Sequence, residues 1–173
     1  MPEALDRMFA GYSANKLRQM EQRIETCLAK LTTEQIWARG SDNENAVGNL
    51  VFHLCGNVRQ WIVSGVGGAP DTRERDAEFS ARGGTSAAEL SDRLRATVEE
   101  GAQVIERVTG ERLAERIVVQ KYDVSVMEAI YHVVEHFSGH AGQIIFATKM
   151  LTSEGLGFYR HLSKAAAHGE KTP

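Results

Sequence analysis

The chain has 173 residues, enough for one domain with a real hydrophobic core, and its 42% hydrophobic and 25% charged residues are ordinary for a globular fold. Its 20 basic residues are scattered among 23 acidic ones for a net charge of −3, which argues against a dedicated nucleic-acid surface, since counterion release needs clustered Lys and Arg. No apolar run reaches the roughly 20 residues that span a bilayer, and the mixed-charge start MPEALDRMFAGY lacks the basic flank and apolar stretch of a secretory signal, so no membrane partner and a cytoplasmic location are expected.

None of the prolines (Pro2, Pro70, Pro173) interrupts a candidate helix, so long helices are permitted. The first is predicted from about Glu3 to Leu31: Met8, Tyr12, Leu17, Met20, Ile24, Cys27, Leu28 and Leu31 form an apolar stripe with a slip near Ala14. Thr33 to Arg39 adds a short helical turn ending at Gly40. Ser41-Asp42-Asn43-Glu44 has the form of a capping box, with Asn43 as an alternative cap. A second helix then runs to about Val63, with Leu50, Val51, Leu54, Val58, Trp61 and Ile62 inward. Gly56 within it costs roughly 1 kcal/mol relative to Ala, a sign of some close approach.

Residues 64–85 are rich in Gly and charge and carry no stripe, which predicts a long connection across one end of the molecule, pinned by Phe79. On charge pattern alone, Arg73, Arg75, Asp76 and Glu78 belong to a solvated loop. Ser86 to Glu89 is a capping box for a third helix reaching about Val108, with Leu90, Leu94, Val98, Ile105 and Val108 inward and Gly110 as its stop. The β-branched run Ile117-Val118-Val119 predicts an extended connection with a short strand pair. Ser125 to Glu128 caps a fourth helix to about Leu151, whose stripe is Ile130, Val133, Val134, Phe137, Ala141, Ile144 and Ile145. An amphipathic piece follows near Phe158 to Ala166, and the closing HGEKTP is expected to be disordered. The pattern predicts an all-α single domain over residues 1–173, a four-helix bundle with long crossover connections.

Four of the six histidines fall on the second and fourth of these helices. His132, His136 and His140 are four apart and share one side of a helix. A pair one turn apart can grip one ion, but His132 and His140 lie roughly 12 Å apart along the axis, too far to share it. His136 and His140 are the better pair, because Phe137, Ala141, Ile144 and Ile145 surround them with core positions. A third ligand must come from another helix, and His53 is the mid-helix candidate. Three imidazoles suit zinc, nickel, cobalt, iron or copper and leave an open position for water or a small-molecule substrate. Asn49 and Asn57, one turn to either side of His53, and Gln143, three after His140, are placed to orient histidines or bound water, and His132 to line the pocket. Glu135 points about 100° away from His136, a poor position for a general base. Cys55 lies about 200° around the helix from His53 and faces elsewhere; it and Cys27 read as small buried thiols. Trp61 reads as core, and His161 and His168 as solvent-exposed. The competing reading of the three histidines is that they are satisfied core residues with no metal.

These residues resemble the DinB-like superfamily, which includes YfiT-type metal-dependent hydrolases and bacterial thiol S-transferases. The resemblance rests on NLVFHLCGNVRQWI (49–62), RERDAEF (73–79), VMEAIYHVVEHFSGHAGQIIFATKML (126–151) and TSEGLGFY (152–159), in family order. It implies a four-helix bundle, often a homodimer, with a divalent metal held by three histidines, and it places those ligands on His53, His136 and His140. It further implies a metal-dependent transferase that uses a low-molecular-weight thiol, with a hydrolase or a non-catalytic metal- or ligand-binding module as the alternatives.

Overall fold

The computed structural model describes residues 5–162. The expectations for Glu3, Ala166, His168 and the HGEKTP tail lie outside them. Helix α1 (Leu5–Leu28) buries Ala10, Ser13, Ala14, Leu17, Met20, Ile24, Cys27 and Leu28. The expected slip near Ala14 is absent. Met8 and Tyr12, assigned to the stripe from sequence, are exposed, because the helical period runs on through the small residues at 10, 13 and 14, whose weak hydrophobicity hid it.

Helix α2 (Thr33–Trp37) starts at a capping box between Thr32 and Gln35. The Ser41–Glu44 box does not start the next helix. The Glu44 carboxylate instead accepts from the Gly40 N–H (2.8 Å) and the Ser41 hydroxyl (3.2 Å), closing a turn. Helix α3 (Val47–Val58) begins after Ala46, whose N–H donates to Asn49 Oδ1 at 3.2 Å, and continues as a π-helical stretch, Arg59–Val66, past the expected end at Val63. Inside the expected connection, Arg75–Ser80 forms a short helix, α4.

Helix α5 (Ala87–Glu106) begins at the Ser86/Glu89 box, and Leu90, Leu94, Val98, Ile105 and Val108 are buried as expected. Gly110 is not its stop. The chain turns earlier, and Gly110 opens α6 (Gly110–Ala114) behind the Thr109 cap. The strand pair is present as the antiparallel hairpin β1 (Arg116–Val119) and β2 (Tyr122–Ser125), turning through Gln120 and Lys121 at positive φ. Helix α7 (Val126–Thr152) begins at the Ser125/Glu128 box. Ile130, Val133, Phe137, Ala141 and Ile144 are buried, and Val134 and Ile145 are half-buried against the same core. A single 3₁₀ turn, Arg160–Leu162, closes the described chain, with His161 half-buried rather than exposed.

Helix α1 packs on α5 and α7, and α3 packs on the same two, so α1 and α3 stand at opposite corners of the bundle. The steps from α1 to α3 and from α5 to α7 cross diagonally, which is why the connections are long. The core is continuous, from Leu17, Ile24 and Leu28 through Leu54 and Ile62 to Leu94, Ile105, Ile130 and Ile144. No described helix is long and apolar enough to cross a membrane. Cys27 and Cys55 are buried free thiols; burial pushes Cys27 up and Cys55 to about 11, out of the reactive range.

Candidate metal centre

The packing of α3 against α7 sets two polar rows face to face. On α3 and the π-helical stretch that continues it, His53, Asn57 and Trp61 follow one another at four-residue steps; on α7, so do His132, His136 and His140. Position 53 lies on the same buried face as Leu50 and Leu54, which turns its imidazole inward; His53 is 7% exposed.

Three of these histidines converge. His53 Nε2 lies 3.0 Å from His136 Nε2, and His140 Nε2 lies 3.2 Å from the same atom. One ligand atom from each fits within 4.8 Å of the others. Their protons are disposed from outside the cluster. Gln143 Oε1, 2.7 Å from His140 Nδ1, accepts its proton. Glu78 Oε2, 3.0 Å from His53 Nδ1, accepts the proton there. With their protons held at Nδ1, both rings would turn a bare Nε2 lone pair toward His136 Nε2. One proton on His136 could serve only one of them, so the protein alone cannot satisfy this cluster. A tetrahedral zinc site with Zn–N bonds of about 2.0–2.1 Å separates its nitrogens by about 3.3 Å, close to the two separations from His136 Nε2, while the His53 and His140 nitrogens lie within 4.8 Å of each other. The donor set and its spacing fit a divalent ion bound by His53, His136 and His140.

The electrostatics favour the neutral, ligating form. Burial, then the neighbouring His140 and His53, push His136 down to about 3. Burial also lowers His140, against the raising effect of its hydrogen bond to Gln143. His132 does not join the cluster. Its ring packs on Trp61 at 4.3 Å and stands 5.6 Å from that of His136, and burial lowers its pKa too.

The flanking amides behave differently from one another. Gln143 holds His140, as its spacing predicts. Asn49 touches no histidine: its Nδ2 donates to the Glu78 and Ala81 carbonyls at 2.8 and 3.0 Å, and its Oδ1 accepts from Arg39 and the Ala46 N–H. It tethers α4 to α3. Asn57 is buried, and its Oδ1 has no hydrogen-bond partner among the described residues; nor has His136 Nδ1. Trp61 is core, as expected, but also backs His132.

Two residues assigned to a solvated loop belong to the site. Glu78 is 7% exposed, and the Arg73 side chain is buried against it. Arg73 Nε donates to Glu78 Oε1 at 2.7 Å and Nη2 to Oε2 at 2.8 Å, a bidentate pair. Burial works to raise the Glu78 pKa, but the hydrogen bonds from Arg73 and His53 outweigh it and hold the carboxyl below its usual range. Phe79 does pin this segment, with its ring 4.8 Å from His53 and Arg75 over its other side. The available signal was that aromatic anchor directly after an acid. A charge-pattern reading discards it, because a short helix shows no stripe.

A family described as "Protein of unknown function (DUF1572)" matches residues 5–165. No curated protein matches significantly. Among solved structures, a conserved protein from Enterococcus faecalis is similar with a TM-score of 0.68 at 16% identity, covering 83% of this chain and 96% of that one. A DinB-like protein from Bacillus cereus is similar with a TM-score of 0.62 at 16% identity, covering 76% and 85%. At this identity the likeness establishes the DinB-like fold.

Proposed function

The chain belongs to the DUF1572 family and has a DinB-like fold, and from that premise we propose that it is a divalent-metal protein acting as a thiol S-transferase on small electrophiles. The observation that carries the metal is the convergence of bare His53 and His140 nitrogens on His136 Nε2, at 3.0 and 3.2 Å. A divalent ion held by His53, His136 and His140 would supply the Lewis acidity that lowers a thiol's pKa toward neutral pH. The chain's own residues do the rest: Glu78 and Gln143 hold two rings in the ligating tautomer, and burial keeps His136 unprotonated.

In the transfer, the thiol proton leaves to solvent, the sulfur lone pair forms the new bond to the electrophilic carbon, and the leaving group departs with its electron pair. Thiol transfer is preferred over hydrolysis because the carboxylates nearby are poorly placed to activate water. Glu78 is tied up by Arg73 and His53, and Glu135 is exposed on α7. A homodimer is part of the proposal, supported by exposed Met127, Tyr131, Phe146 and Met150 on α7; light scattering would check it.

The first test is metal content by mass spectrometry on untagged protein. About one divalent ion per chain, lost in both His53→Ala and His136→Ala, supports the site. The thiol reading then stands if the loaded protein joins low-molecular-weight thiols to electrophiles, and falls if it turns over only esters or amides. Protein that takes up no zinc, nickel or manganese under reducing conditions leaves the histidines as core residues.

A further inference from the structure

The segment carrying α4 reaches the histidines by polar contacts rather than by a buried apolar face. Within Arg75–Ser80 only Glu78 is buried. Beside the segment runs a cleft of about 370 Å³, lined by Phe52, Gly56, Arg59 and Arg93 on one side and Arg73 and Glu78 on the other. The Arg73–Glu78 pair is thus the wall between that cleft and His53. Besides the Phe79 ring against His53, two polar anchors hold it: Asn49 and Arg39 on the backbone of α4 and its C-terminal end, and His53 Nδ1 on Glu78.

The His53 ring has two neighbours at Nδ1. Glu78 Oε2 lies at 3.0 Å and Arg73 Nη2 at 3.1 Å. They demand opposite tautomers, since the carboxylate accepts a proton from Nδ1 and the guanidinium can only give one. Arg73 Nη2 gives one of its two hydrogens to Glu78 at 2.8 Å and has the other for His53 Nδ1, but the carboxylate is the nearer neighbour and a charged acceptor, the stronger partner for an imidazole N–H, which makes it the deciding one.

We propose that Glu78 is a positioning residue that selects the metal-competent tautomer of His53, and that through it ion binding and the docking of α4 are coupled. The proposal rests on the three-histidine metal reading for its second half only. With Nε2 engaged, Nδ1–H becomes a stronger donor and tightens its bond to Glu78. By linkage, whatever holds α4 down raises metal affinity, and metal holds α4 down.

The test has two arms. Imidazole nitrogen NMR on the metal-free chain reads the tautomer directly. His53 carries its proton on Nδ1 in the wild type and in Glu78→Gln, whose amide oxygen still accepts, and shifts toward Nε2–H in Glu78→Ala. Zinc competition then gives an affinity about 10–100-fold weaker for Glu78→Ala, with a smaller loss for Glu78→Gln. Zinc slows amide exchange across residues 73–80 in the wild type, and not in Glu78→Ala. Should Glu78→Ala fold poorly with Arg73 left unpaired, the double variant Arg73→Met/Glu78→Ala replaces it. A wild-type His53 protonated on Nε2, or a zinc affinity unchanged within twofold in both alanine variants, overturns the proposal. If the wild type binds no zinc, the metal reading fails while the tautomer arm still decides the role of Glu78.

Discussion

A Cβ placed on Gly56 would lie 1.9 Å from Glu78 Oε1 and 2.8 Å from Arg73 Nε. The glycine on α3 therefore makes room for an ion pair, where its sequence context suggested a helix–helix approach. That approach occurs instead at Gly101 of α5, whose Cβ would stand 2.6 Å from Val58 Cγ1. The two positions should respond differently to alanine. Gly56→Ala gains helix propensity, up to about 1 kcal/mol, but drives the Glu78 carboxylate off the buried Arg73 guanidinium, so thermal stability should fall as well. Glu78 then leaves His53 Nδ1, and zinc affinity should fall about tenfold or more. Gly101→Ala meets a core side chain with nowhere to go and should cost about 1–3 kcal/mol in urea unfolding. A Gly56→Ala chain with unchanged zinc affinity would show that the ion pair is not what the glycine accommodates.

At the scale of elements, the sequence was readable where one local rule acted alone. The boxes at Ser86 and Ser125 start α5 and α7 where expected, because in each the serine hydroxyl accepts from the third-position N–H while the glutamate accepts from the serine N–H. Ser125→Ala should accordingly cost about 1 kcal/mol in chemical unfolding and leave metal stoichiometry alone; a loss near zero would mean that packing, not the cap, sets the start of α7. The Ser41 box misled because a local motif met a tertiary competitor. Asn49, held by Arg39 and the α4 carbonyls, caps α3 from within, and Glu44 is left to close a turn. The α4 segment failed for the same reason: Arg73 and Glu78 look solvated until Gly56 and His53 are set beside them. The histidine cluster was legible because helical period alone places His136 and His140 together, and His53 sits on the buried face of the next polar helix. What period could not give was the split among the polar neighbours, in which Gln143 holds His140 and Asn49 holds the α4 segment.

For the whole molecule, stability depends on pH through a carboxyl far from the histidines. Glu21 lies in the interface of α1 with its neighbours at 6% exposure, and its Oε1 has no hydrogen-bond partner among the described residues. Burial, then the adjacent Glu25, raise its pKa from 4.5 to about 7, against a lowering pull from Arg95. A carboxyl whose folded pKa lies above its unfolded value binds more protons when folded, so stability falls as pH rises. The contribution is complete below about 4.5 and is lost as pH climbs through about 7. A tenfold change in proton affinity between the folded and unfolded chain is worth about 1.4 kcal/mol, which puts the loss on the order of 1–3 kcal/mol. Glu21→Gln removes the charge at every pH while keeping the shape. Histidine titration and metal linkage act equally on both chains, so the difference between them isolates Glu21. In urea unfolding with a chelator present, the two should be nearly equal at pH 4.5. The glutamine variant should be the more stable at pH 8 by that 1–3 kcal/mol. A difference that stays constant from pH 4.5 to 8 would mean that Glu21 is ionised throughout and that the interface admits water to its carboxylate.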